Sequence, residues 1–113
     1  MTDQQLVDAL AVEVLGLTKG VGRWSKWYYG RGVEKVMAVA DWRPLTNPSQ
    51  PDMCVRKAKS LVLHPDDICQ RFKTLLLSKQ GTVRDDELLT AHIDHPNLLL
   101  QACLSAVREV RNG

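Results

Sequence analysis

Leu6, Leu10 and Val14 recur at helical spacing, with Val7 and Ala11 beside them, and predict an N-terminal amphipathic helix. Thr2 or Asp3 can cap its exposed N–H groups, and Gly16 offers a left-handed stop after which Leu17 can fold back onto the last turn. Thr18 to Arg23, with Gly20 and Gly22, reads as a loop. The pattern then changes. Trp27, Tyr28 and Tyr29 favour a strand, Gly30-Arg31-Gly32 permits a tight turn, and Val33 to Val39 is rich in apolar residues. An antiparallel hairpin near residues 26–40 follows, with helix as the rival for Val33–Ala40. Both sides of Val36-Met37-Ala38-Val39 are apolar, which predicts a strand covered on two faces.

Pro44, Pro48 and Pro51 forbid regular structure between Asp41 and Pro51, while Trp42 and Leu45 give that segment something to bury. It should be an ordered connection into a helix near Asp52–Ser60. Leu61-Val62-Leu63 reads as a short buried strand. His64-Pro65-Asp66-Asp67 is a helix start, with proline in the first turn and two acids favoured by the helix dipole. Ile68, Phe72, Leu75 and Leu76 form that helix's apolar face and Gly81 ends it. Thr82–Thr90 is a polar connection whose acidic run, Asp85-Asp86-Glu87, reads as solvated. Asp94-His95-Pro96-Asn97 opens a last helix with Leu99, Ala102, Cys103, Ala106, Val107 and Val110 inward and Arg108 and Arg111 near its C-terminus. The whole, residues 1–113, is one domain: α/β (α+β), a small mainly antiparallel sheet covered by helices in an α/β/α layered sandwich.

Charge sharpens this picture in one place. Residues 19–43 carry a net charge of +4 while the whole chain carries only +2, and five of the six aromatic residues lie between Trp24 and Trp42. Large rings among cations and glycines suit a contact surface. Arg23, Trp24, Lys26, Trp27, Tyr28, Tyr29, Arg31 and Arg43 are therefore the candidate partner-binding residues. Some of these rings must fill the core, about half of them, and strand alternation puts Trp27 and Tyr29 on one face with Tyr28 on the other.

Catalytic chemistry finds little to work with. His92-x-Asp94-His95 resembles a metal cluster only superficially, because His95 precedes a proline at a helix entrance and Asp94 has a capping role. His64 shares that His-Pro context. The pair Asp66-Asp67 is accounted for by the helix dipole. Ser25 and Ser49 lack a nucleophile-elbow context, and Gly16, Gly20 and Gly22 precede no Lys-Ser/Thr pair, so a Walker-type phosphate loop is excluded. No catalytic residue, metal ligand or cofactor is assigned. Cys54, Cys69 and Cys103 are odd in number, widely spaced and among apolar neighbours, as expected of a reducing cytosol. No signal peptide and no apolar run of about 20 residues is present, so a soluble intracellular protein is expected.

Three local patterns together resemble one family. They are Val14-Leu15-Gly16-Leu17 followed by a Gly- and Trp-containing loop; Asp41-Trp42-Arg43-Pro44-Leu45-Thr46-Asn47-Pro48 leading into a helix; and His95-Pro96-Asn97-Leu98 opening the helix that continues Gln101-Ala102-Cys103-Leu104-Ser105-Ala106-Val107. This resembles the small bacteriophage proteins with an α/β/α "ABA sandwich" domain. Residues 61–90 depart from it, reading as helical where the family places further strands. The resemblance implies a phage or prophage accessory protein in the host bacterial cytoplasm, one that binds and inhibits or redirects a bacterial host protein without catalysis, anti-defence roles included. A homo-oligomer using the same patch is compatible with it. The alternative is a protein that binds nucleic acid or a nucleotide through the basic aromatic hairpin. The net charge and the absence of a nucleic-acid fold motif weigh against that.

Overall fold

A capping box starts the chain: the Gln5 amide donates to Thr2 Oγ1 at 3.2 Å and the Thr2 amide donates to Gln5 Oε1 at 2.8 Å. The computed structural model describes residues 2–22, 27–32, 34–84, 86–87 and 89–112. The capped helix α1 (Asp3–Ala9) runs on into a π-helical turn, Leu10–Val14, in which the Leu15 amide donates to the Leu10 carbonyl at 3.0 Å. The wider winding brings Leu10, Ala11 and Val14 inward together. The helix expected here is present; its π-helical end left no trace in the spacing.

Three antiparallel strands follow in the order β1-β2-β3: β1 (Thr18–Val21), β2 (Trp27–Arg31) and β3 (Glu34–Ala38). The hairpin is where the sequence places it, and strand prevails over helix for its second arm. Thr18–Val21 was expected to be loop. It forms a strand because each of its residues has a cross-strand partner on β2, from Thr18 opposite Gly30 to Val21 opposite Trp27. The register of β2 on β3 slips between Tyr29 and Gly30. A β-carbon at Gly30 would stand 2.6 Å from the Glu34 carbonyl oxygen, so the bulge admits only glycine there. Arg31 pairs with Glu34, and Gly32 takes φ +63° in the turn.

The α+β class expected from the sequence is the class observed. The two-sided cover expected of Val36–Val39 does not form. Met37 and Val39 pack against the core, but Val36 is 44% exposed and Ala38 is exposed too. The helical body meets the sheet on the Tyr29 side, where the Tyr29 hydroxyl donates to Asp8 of α1 at 2.6 Å.

Trp42 leaves the sheet by way of a 3₁₀ turn (Val39–Asp41) and is buried, its indole N–H donating to the Val7 carbonyl at 2.9 Å. Gln50 fastens the proline segment at both ends of its amide: Oε1 accepts from the Arg43 amide at 2.6 Å, and Nε2 donates to the Asp41 carbonyl at 2.8 Å. Then come α2 (Gln50–Leu61), α3 (Asp66–Gln80), the short α4 (Ala91–Asp94) and α5 (Pro96–Asn112). The strand expected at Leu61–Leu63 is absent. Leu61 closes α2, and Leu63 is 85% exposed. Gly81, at φ +80°, ends α3 in the left-handed region that a side chain would strain, as expected.

Helix α5 is the axis of the core. Leu99, Leu100, Ala102, Cys103, Leu104, Ala106 and Val107 are buried on it, and α2, α3 and the π-helical turn close around it. Full burial of a side chain such as Leu100 or Phe72 contributes about 1.5–3 kcal/mol. Two polar links tie the chain's ends together: Asn97 donates to Asp3 at 2.8 Å, and Arg108 grips Glu13 with two bonds at 2.7 and 2.8 Å. Among the described residues no helix is long and apolar enough to cross a membrane.

Candidate functional site

Strand β2 carries three rings, Trp27 and Tyr29 on one face and Tyr28 on the other, and the helical body covers only part of the first face. Tyr29 points into the body and is fully buried. Desolvation alone would raise the Asp8 carboxyl that receives its hydroxyl, but the bonds from Tyr29, Gln4 and Lys19 together hold that carboxyl below its ordinary value. The same burial, with the Asp8 charge beside it, pushes the Tyr29 phenol well above its ordinary value. Tyr29 is thus an anchor between sheet and helix, not a surface residue. Trp42 is likewise core.

Among the described residues Trp27 is the ring the fold leaves in the open, 52% exposed, with the Lys19 ammonium 5.4 Å from its centroid. Lys19 lies opposite Tyr29 on β1 and stands 3.5 Å from Asp8, so it spans from the anchor to the open tryptophan. On the other side of the sheet Tyr28 is half-buried, with Lys35 of β3 stacked 4.9 Å from its ring centroid. Its ring lies along β1: a β-carbon at Gly20 would meet it at 3.2 Å, and one at Gly22 would meet it at 3.2 Å and the Lys35 ammonium at 3.0 Å. Glycine at these positions lets the ring lie flat. Trp27, Tyr28, Lys35, Val36, Met37 and Gly22 line a shallow hollow of about 260 Å³ beside this pair. Both lysines sit within cation–π reach of a ring, worth about 0.5–1 kcal/mol each at such exposed sites.

The remaining candidates scatter. Arg31 is exposed and reaches back to the Leu15 carbonyl at 3.4 Å, at the end of the first helical stretch. Arg43 is exposed, but its Nε donates to the Ala40 carbonyl at 2.8 Å, at the start of the proline segment. Arg23, Trp24 and Lys26 lie outside the described residues. The cluster read from sequence therefore resolves into an open surface of Trp27 and Tyr28 and a buried anchor, Tyr29. The sequence reading passed over Lys19 and Lys35, which complete the surface. Lys35 was available from its place in the hairpin; Lys19 was not, once its strand had been read as loop.

Elsewhere the chemistry-bearing residues serve structure. His95 tilts against Phe72, ring centroids 6.3 Å apart, and Asp94 is exposed. Asp67 pairs with Arg71 at 2.8 Å, and Arg71 also reaches Glu109. In the acidic run Asp86 is exposed as expected, Asp85 lies outside the described residues, and Glu87 needs a correction. Glu87 is not solvated: it is 8% exposed and accepts from Gln80 Nε2 at 2.9 and 3.0 Å and from the Arg84 amide at 3.2 Å. The Gln80 bonds above all, with the Arg84 amide and guanidinium, hold its carboxyl below the usual range against the opposing effect of burial. Among the described residues no group of three or more His, Cys, Asp or Glu side chains is placed to hold a metal ion.

Comparison with known proteins finds no matching family model, no matching curated protein and no matching solved structure.

Proposed function

We propose that this chain is a non-enzymatic bacteriophage or prophage accessory protein that binds a bacterial host protein and inhibits or redirects it, an anti-defence factor being one form of that role. The host cytoplasm is where it would act. The observation that carries the binding part of this reading is Trp27: a large ring on a strand, half in solvent, with Lys19 on one side of it and the Tyr28–Lys35 hollow adjoining. A tryptophan left open in a chain with so few aromatic residues is the kind of anchor that dominates protein–protein interfaces. The resemblance of the Trp-x-Pro segment and the two terminal helices to small phage sandwich proteins supplies the biological setting.

The test is capture from bacterial lysate by the wild-type chain beside a Trp27→Ala/Lys35→Glu variant, followed by purification of the captured protein and measurement of its own activity with and without this chain. One host protein retained by wild type, lost by the variant, and altered in activity on reconstitution supports the reading. A captured protein retained equally by the variant refutes the site. A second reading is favoured by the stacked Tyr28–Lys35 pair, whose ring and cation are the groups that would take a base and its phosphate. It requires affinity for nucleic acid or a nucleotide that falls steeply with salt; salt-independent affinity rejects it.

A further inference from the structure

Helix α2 buries one stripe and borders a hollow with the next. Pro51, Cys54 and Ala58 are buried. The neighbouring stripe, Asp52, Val55 and Lys59, faces instead a hollow of about 750 Å³ between α2, the first turn of α3, and the α4–α5 corner. That volume lies within the roughly 300–1,000 Å³ typical of small-molecule sites. Its apolar lining comes from Val55, Ile68 and Leu99, the last two buried residues of the core, with Pro48 and Leu89 at its sides. Ser49, Asp52, Lys59 and His92 provide the polar lining. The two charges are not equivalent. Asp52 is answered by Arg56 at 3.0 Å, whereas Lys59 enters no ion pair among the described residues. The hollow therefore presents an apolar floor with one uncompensated cation, the complement of an amphiphilic anion.

We propose that this hollow is a binding site for a small organic anion with an apolar body, its acid group on Lys59 and its body over Val55, Ile68 and Leu99. A cationic ligand would meet Lys59 with Asp52 already neutralised. A wholly apolar one would make no use of the lysine at the rim, whereas an acid group gains a charge-assisted hydrogen bond to it. This site is separate from the Trp27 surface, on other elements, and stands or falls independently of it.

Cys69, half-buried in the wall of the hollow, reports on its occupancy. Cys54 and Cys103 are fully buried and their thiols are pushed up to about 12 by that burial, so neither competes for a thiol reagent in the folded protein. The experiment uses 8-anilinonaphthalene-1-sulfonate, an aromatic sulfonate, as the probe and iodoacetamide as the reagent. Probe at ten times its Kd should slow alkylation of Cys69 about tenfold by simple mass action. Lys59→Glu, at an exposed position, should weaken probe binding about tenfold, and Val55→Trp, which fills the hollow, should abolish it. Alkylation of Cys69 at an unaltered rate with probe bound overturns the proposal, as does unaltered affinity in Lys59→Glu. The lysine variant decides the matter even if Val55→Trp fails to fold.

Discussion

Replacing Tyr29 with phenylalanine removes one oxygen from a fully buried ring and leaves the packing otherwise in place. What is lost is the 2.6 Å bond to Asp8, a polar link between sheet and first helix. A hydrogen bond to a charged acceptor contributes about 1.5–3 kcal/mol. Asp8 is about one-third exposed and keeps Lys19 and Gln4, so water and these partners recover part of it. The net loss at pH 7 should be about 1–2 kcal/mol, a drop of roughly 4–8 °C in thermal midpoint for a chain of this size. The pH dependence is more diagnostic than the size. Asp8 is held below its ordinary value near 3.8, so its contribution is complete above that value and fades as pH falls through the lowered folded one. Tyr29 is held above its ordinary value of 10, so its contribution is complete below pH 10 and is lost as pH rises beyond it. Thermal melts of both proteins should therefore differ most between about pH 5 and 9 and converge toward pH 2.5 and pH 11. A constant difference across that range, or none at pH 7, would show that the Tyr29–Asp8 bond is not what joins these elements.

Phe72→Ala, at a fully buried position beside α5, should cost about 3–5 kcal/mol in urea titration. Gly30→Ala must displace the Glu34 carbonyl from 2.6 Å, and a loss of about 1–3 kcal/mol is expected; a neutral result would mean that the bulge can be ironed out. Glu87→Gln loosens the 82–90 connection, so trypsin should cut after Arg84 faster than in wild type, while cleavage in α5 is unchanged. Equal rates would show that the Glu87 network is incidental.

The helices were legible because their signals are local. Capping at Thr2 and the left-handed stop at Gly81 stand in the sequence beside the residues they organise. The hairpin was legible for the same reason, with strand-forming rings on one side of a Gly-rich turn. Strand β1 was not, since Thr18-Lys19-Gly20-Val21 has no apolar alternation of its own; it is a strand because β2 offers it hydrogen bonds and Tyr28 lies across Gly20. Leu61-Val62-Leu63 misled in the opposite direction: Leu61 ends α2, Val62 packs against the core without pairing in the sheet, and Leu63 stays in solvent. Glu87 was misjudged because an acidic run looks solvated until a distant glutamine, Gln80, returns to it at the end of α3. The candidate surface was half legible. Composition points to residues 23–43, but which ring is anchor and which is open depends on how much of one face of β2 the helical body covers: it closes over Tyr29 at Asp8 and leaves Trp27, on the same face, in solvent.

That dependence yields the sharpest separation of roles in the molecule. Trp27 and Tyr29 are two residues apart on one strand, and Lys19 approaches both, yet one is buried and the other is 52% exposed. Trp27→Ala forfeits only a half-exposed ring and its cation–π contact, so stability should change by no more than about 1 kcal/mol. If Trp27 is a partner anchor, the same change should weaken binding by about 2 kcal/mol or more, roughly thirtyfold in Kd. Tyr29→Phe should do the reverse, lowering the melting point while leaving affinity intact wherever the protein remains folded. Titration calorimetry against the captured host protein, run beside melts of both variants, measures the two effects at once. A Trp27→Ala protein that melts early and binds normally would make the tryptophan a structural strut and remove the observation on which the binding surface rests.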